Sequence, residues 1–236
     1  MDDAMHENAL SGGTGDGAFG GLHVYATQFT ALNNSGVDGY ALLFADESNQ
    51  TLTVHISAEG LEPGQVHAQH IHGFDDDTDS KSPTIAQDDD RDGFVELGEG
   101  LATYGPIQLN LTLNPEDSQH DHGTPGHDHT GAAMFPTADA AGHLNYTETF
   151  HFDRSDPNAQ AIFDGITPFG AKEIVLHGLT VREGSGAGTA GEVDGTAGYK
   201  GVLPVASGEL HEVDFGALLA STLGHGHADG WLFGAG

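Results

Sequence analysis

From Leu22 onward the chain alternates apolar and polar residues with a period of two, the pattern of strands with one buried and one wet face. Residues 22–32 are rich in Val, Tyr, Thr and Phe, and the turn Asn33-Asn34-Ser35-Gly36 separates them from a second strand at 37–45. After Asp46–Asn49, residues 51–58 put Leu52, Val54, Ile56 and Ala58 on one face and Thr51, Thr53, His55 and Ser57 on the other. Further strands are predicted at 66–73, 107–113, 144–153, 172–181 and 199–205. One short helix is predicted, started by Asp156-Pro157-Asn158 with Pro157 in its first turn and continued over 159–166. The apolar run 215–223 fits either a strand or a short helix. Short strands at this spacing predict an all-β sandwich or barrel.

Composition divides the chain further. Residues 1–21 are rich in Gly and acid and read as an arm, and 224–236 form a Gly/His/aromatic tail holding the lone Trp. The span 22–223 shows no internal boundary and is expected to be a single domain, with long connections at 73–99, 119–130 and 183–198. Six Lys and Arg stand against 36 Asp and Glu, for a net charge of −30. That balance excludes nucleic acid as a partner, because phosphate binding needs a cationic footprint. No apolar run is long enough for a membrane-inserted helix. There is no Cys, so disulfides, thiolate chemistry and cysteine-ligated zinc are excluded.

An acid-rich chain with this charge is relieved by bound cations, and one segment is patterned for them. From Asp88 to Glu99 the sequence fits a twelve-residue calcium loop. Asp88, Asp90 and Asp92 stand at positions one, three and five, Gly93 at the turn, Phe94 at the backbone-carbonyl position, Glu96 at nine and Glu99 at twelve. Calcium at such a loop, together with four Asn-x-Ser/Thr sequons at Asn33, Asn49, Asn110 and Asn145, leads to the expectation of an extracellular or cell-surface protein.

Histidines supply the second candidate chemistry. In 66–73, His70 and His72 point to one side of a strand and His67, Gln69 and Ile71 to the other, so two imidazoles can reach one copper or zinc ion. The same spacing also suits solvated histidines, or satisfied ones beneath a loop. The tract 119–130 carries two His-Asp-His units around a Gly/Pro turn, and His120, His122, His127 and His129 are candidate transition-metal ligands there.

The segments Ser35–Ala41, Leu52–Val54, Gly60–Gly64 and His67–Gly73 together resemble the chordin-type (CHRD) domain and the wider copper–zinc superoxide dismutase fold. Glu173-Ile174-Val175-Leu176-His177 is similar to the late dismutase strand that carries a copper-ligating histidine. The resemblance implies an antiparallel Greek-key sandwich and makes His70, His72 and His177 copper ligands. This chain departs from that family in having no Cys for its disulfide and no histidine between His72 and His120. Three functions are consistent with these features. The first is a calcium-binding structural protein that self-associates into a surface layer, filament or matrix. The second is a dismutase-like copper redox protein, and the third a His-rich metal buffer.

Overall fold

The computed structural model describes residues 21–76, 78–115 and 135–214. All of the arm 1–21 except Gly21, the four histidines of 119–130, the run 215–223 and the tail lie outside the described residues. Among the described residues, ten strands form two antiparallel sheets of five. They are β1 (Leu22–Gln28), β2 (Thr30–Ala31), β3 (Asp38–Asp46), β4 (Thr51–Glu59), β5 (Gln69–His72), β6 (Ile107–Asn110), β7 (Leu144–His151), β8 (Glu173–Val181), β9 (Gly198–Glu209) and β10 (His211–Glu212). One sheet has the order β10-β1-β3-β4-β7 and the other β2-β9-β8-β5-β6. β4 and β7 are neighbours although β5 and β6 lie between them in sequence and in the opposite sheet, which is a Greek-key crossover.

The alternation read in 51–58 places Leu52, Val54 and Ile56 against the other sheet, where they meet Ile71, Leu109, Ile174 and Leu176 in one core. The predicted strand 22–32 is two strands. Phe29 is buried at the break, and the chain passes from one sheet at β1 to the other at β2. Period-two patterning carries no signal for such a switch, because both halves keep one face on the same core.

Two α-helices occur among the described residues, where one was predicted. The expected one, α2 (Pro157–Ile166), begins with Pro157 in its first turn, and the Asp156 side chain accepts from the Asn158 N–H at 2.9 Å. It buries Ala159, Ile162, Phe163 and Ile166 against the core. The additional helix, α1 (Leu97–Tyr104), carries Gly98 and Gly100, each unfavourable in a helix interior. Tertiary packing decides the matter. Tyr104 is fully buried, and its ring folds back so closely over Gly100 that a Cβ there would collide with it. The Tyr104 hydroxyl donates to the carbonyl of Leu97 at 2.9 Å, tying the two ends of the helix together.

Candidate metal centres

β5 lies between β6 and β8, and Ile71 faces the core. Alternation therefore sends His70 and His72 to the opposite side of the sheet. On β8, Ile174 and Leu176 face the core and His177 the other side, next to the same pair. On that side Tyr104 of α1 packs against His72 and Phe135 against His70. His70, His72 and His177 are 5%, 0% and 1% exposed. Each offers a ring nitrogen within 4.8 Å of those of the other two. Their ring centroids are 5.0 Å apart for His70 and His177, 5.6 Å for His70 and His72, and 6.1 Å for His72 and His177.

Carbonyl oxygens set the protonation pattern. His72 Nδ1 lies 2.8 Å from the Gly105 carbonyl and His177 Nδ1 lies 2.7 Å from that of Val202. A carbonyl only accepts, so both Nδ1 atoms carry the proton and both Nε2 atoms present lone pairs. Those Nε2 atoms are buried and have no hydrogen-bond partner among the described residues. Burial, and for His72 the neighbouring His177, push these rings down to about 3 and about 4, so both are neutral at ordinary pH. Deprotonated imidazoles with their far nitrogens held by carbonyls are what copper and zinc take as ligands. A metal–nitrogen bond of roughly 2.0–2.1 Å puts ligand nitrogens about 3.4 Å apart in a tetrahedral site. The three ring nitrogens, within 4.8 Å of one another, would have to close to that spacing.

His67 is excluded from the cluster. It is fully buried, with Nδ1 2.8 Å from the carbonyl of His177 and Nε2 3.1 Å from that of Glu62, and braces the approach to β5 against β8. Tyr104 packs edge-on to His72 at 4.6 Å, and burial raises its phenol far above the ordinary value. Glu173, the cross-strand partner of His72, is fully buried and accepts from the Ser82 hydroxyl at 2.6 Å; burial pushes its carboxyl up to about 7. None of Tyr104, Gly105 or Val202 is marked by a motif, because each reaches the cluster only through tertiary packing.

A cavity of about 360 Å³ opens beside His70 and His177. Leu97, Ile107, Phe135 and Val202 supply much of its wall. The acidic loop leads into the first turn of α1. Asp88, Asp90 and Glu99 bring carboxylate oxygens within 4.8 Å of one another. Asp88 accepts from the Asp92 and Gly93 N–H groups at 3.1 and 2.9 Å, and Gly93 takes the left-handed φ of +93° that the turn requires. Glu99 accepts from Asp89 N–H at 2.7 Å and from Glu96 N–H at 2.9 Å.

The other carboxylates of the loop are placed differently. Glu96 is buried and accepts from the Val193 N–H at 2.6 Å, so its carboxyl is engaged by the 183–197 connection and not with the trio. One Asp92 oxygen accepts from Phe94 N–H at 2.8 Å, while the other is buried without a hydrogen-bond partner among the described residues. Burial raises the carboxyls of both Asp92 and Glu96. Phe94 turns its side chain onto Val181, Val193 and Leu203. Beyond the motif, Asn33 anchors the loop. Its side chain accepts from Val95 N–H at 2.7 Å and donates to the carbonyls of Val95 and Pro204, both at 2.9 Å. Asn33 and Asn110 (3% exposed) thus hold two of the four sequons in places a glycan cannot reach.

No protein-family model matches the chain, and no curated protein does. Among solved structures, it is similar to a SOD-like protein from Bacillus subtilis at a TM-score of 0.38 and 16% identity, over 81% of this chain and 99% of that one. A double mutant of that protein gives 0.36 and 16%, over 78% and 95%. Overlap this loose leaves the class resting on the strand pairing itself. The chain is an all-β antiparallel sandwich, with three buried histidines gathered on the outer side of one sheet.

Proposed function

We propose that the protein binds a copper ion through His70, His72 and His177, with one coordination position facing the adjoining cavity, and that it acts in copper redox or copper binding. Two observations support this reading: the buried Nε2 lone pairs on His72 and His177, each with a carbonyl behind its ring, and a ring nitrogen on each of His70, His72 and His177 within 4.8 Å of the other two. Three neutral imidazoles leave the full charge of the ion uncompensated by its ligands. Burying a monovalent ion that way costs less than burying a divalent one, which favours copper, with its Cu(I) state, over zinc. Superoxide is a poorer fit as substrate. A chain of net charge −30 repels an anion, and no Lys or Arg among the described residues lines the cavity.

X-ray absorption on copper-loaded protein tests the assignment. Three imidazole scatterers are expected in the wild type and two in His177→Gln, and an unchanged shell in that variant refutes it.

Calcium at Asp88, Asp90 and Glu99 belongs to the same reading as a clamp on the start of α1. Calcium-dependent association of copies outside the cell extends it. Light scattering with and without millimolar CaCl₂ tests that extension, and a protein that stays monomeric in both removes it.

A further inference from the structure

The cavity beside His70 and His177 sets what can reach the proposed ion. Its wall is aliphatic and aromatic, with Leu97 from α1, Ile107 from β6, Val202 from β9 and the ring of Phe135, which stands edge-on to His70 at 5.3 Å. Apart from the imidazole nitrogens that would hold the ion, the side-chain polar groups there are committed. The Tyr199 hydroxyl donates to the carbonyl of Val66, and His177 Nδ1 donates to that of Val202. Lys200 follows Tyr199 in the chain, but its ammonium lies on Asp194 at 3.2 Å and on Thr196 at 2.9 Å. An anion entering the metal-free cavity would therefore lose its hydration with no cationic side chain among the described residues to replace it. A neutral apolar molecule gains from the same transfer. The volume of about 360 Å³ also bounds size. With a ~150 Å³ cavity holding one benzene, this one accepts ~14 non-hydrogen atoms, the size of one or two fused rings.

We infer that the cavity binds a small neutral aromatic molecule carrying one donor atom, of the phenol or azole class, with the donor directed to the ion at the three histidines. The orientation of the ligand rests on the copper reading above; occupancy of the cavity does not. Phe135 and Tyr199 offer aromatic faces and edges for stacking, and the ion supplies the one polar contact.

The test uses 1-naphthol and the full chain. Titration of metal-stripped protein, followed by naphthol fluorescence, is expected to saturate at one molecule per chain. Ile107→Trp, which fills the cavity with an indole, is expected to weaken binding about tenfold or more. Leu97→Phe makes the same test from α1 if the tryptophan variant does not fold. On protein loaded with Cu(II), the form that gives an EPR signal, naphthol is expected to shift the spectrum at about tenfold lower concentration than azide. Non-saturable binding, equal binding by the filled variants, or a response to azide at the lower concentration overturns the inference. Because the first titration needs no metal, a protein that takes naphthol but no copper keeps the cavity and loses the centre. One that takes copper but no naphthol keeps the centre and loses this inference.

Discussion

The Nδ1–H of His72 donates to the carbonyl of Gly105 across 2.8 Å, joining the middle of a sheet to the residue that ends α1. Gly105 has φ +79°, and a Cβ there would come within 2.6 Å of the carbonyl carbon of Gly73. Its carbonyl is therefore held in place by a backbone that no other residue adopts without strain. Gly105→Ala is expected to leave all three ligands in place yet weaken copper binding about 10- to 100-fold, the cost of losing a partner behind a ligand. A competitive titration against a chelator of known affinity measures it.

The buried histidines make metal-free stability depend on pH. In the unfolded chain they titrate near 6.5, whereas folding holds His72 near 3 and His177 near 4. The folded state binds fewer protons between those values, so their contribution is complete above about pH 6.5 and is lost as pH falls through 4 and then 3. Urea midpoints of chelator-stripped protein are expected to fall across this window. A His72→Gln/His177→Gln variant is expected to show a flatter profile.

Glu173 acts with the opposite sign. Its carboxyl titrates at 4.5 when freely solvated, as in the unfolded chain, and at about 7 when folded, because burial disfavours the charged form. The folded state holds the extra proton, so this contribution is complete below 4.5 and is lost as pH rises through 7. The loss is on the order of 3 kcal/mol. Glu173→Gln keeps the oxygen that accepts from Ser82 and removes the charge. It is expected to be more stable than wild type at pH 8 and similar to it at pH 5, by urea melts at both.

Asn33 links the acidic loop to β9 through three hydrogen bonds, from a left-handed φ of +53°. An alanine loses those bonds, leaves Val95 N–H without its acceptor and strains the backbone, so Asn33→Ala is expected to cost about 2–4 kcal/mol. The calcium trio responds separately. Calcium at ~100 times its Kd adds about 2.7 kcal/mol to the wild type, or roughly 5–10 °C in Tm for a chain of this size. Asp88→Asn/Asp90→Asn is expected to remove that shift, measured by thermal melts with calcium and with chelator.

What could be read from the sequence follows the range of the interactions. Strand faces such as Leu52-Val54-Ile56 and the start of α2 at Asp156-Pro157 are local, and both occur where the pattern put them. The His70/His72 pair is local too, as is the gathering of Asp88, Asp90 and Glu99. The place of His177 beside them depends on the β5–β8 register, and family resemblance suggested it where spacing could not. The switch at Phe29, α1 with its two glycines, the turning of Glu96 to Val193, and Asn33 as an anchor all depend on contacts distant in sequence. Local periodicity has no access to those.

Copper stoichiometry tests the three-histidine centre most directly. Stripped wild-type protein and a His70→Gln/His72→Gln/His177→Gln variant, with folding checked by near-UV circular dichroism, would be titrated with copper against a competing chelator. The wild type is expected to hold one tightly bound ion that the variant lacks, whatever weaker binding the remaining histidines add to both. Equal numbers of tightly bound ions in the two proteins would contradict the centre.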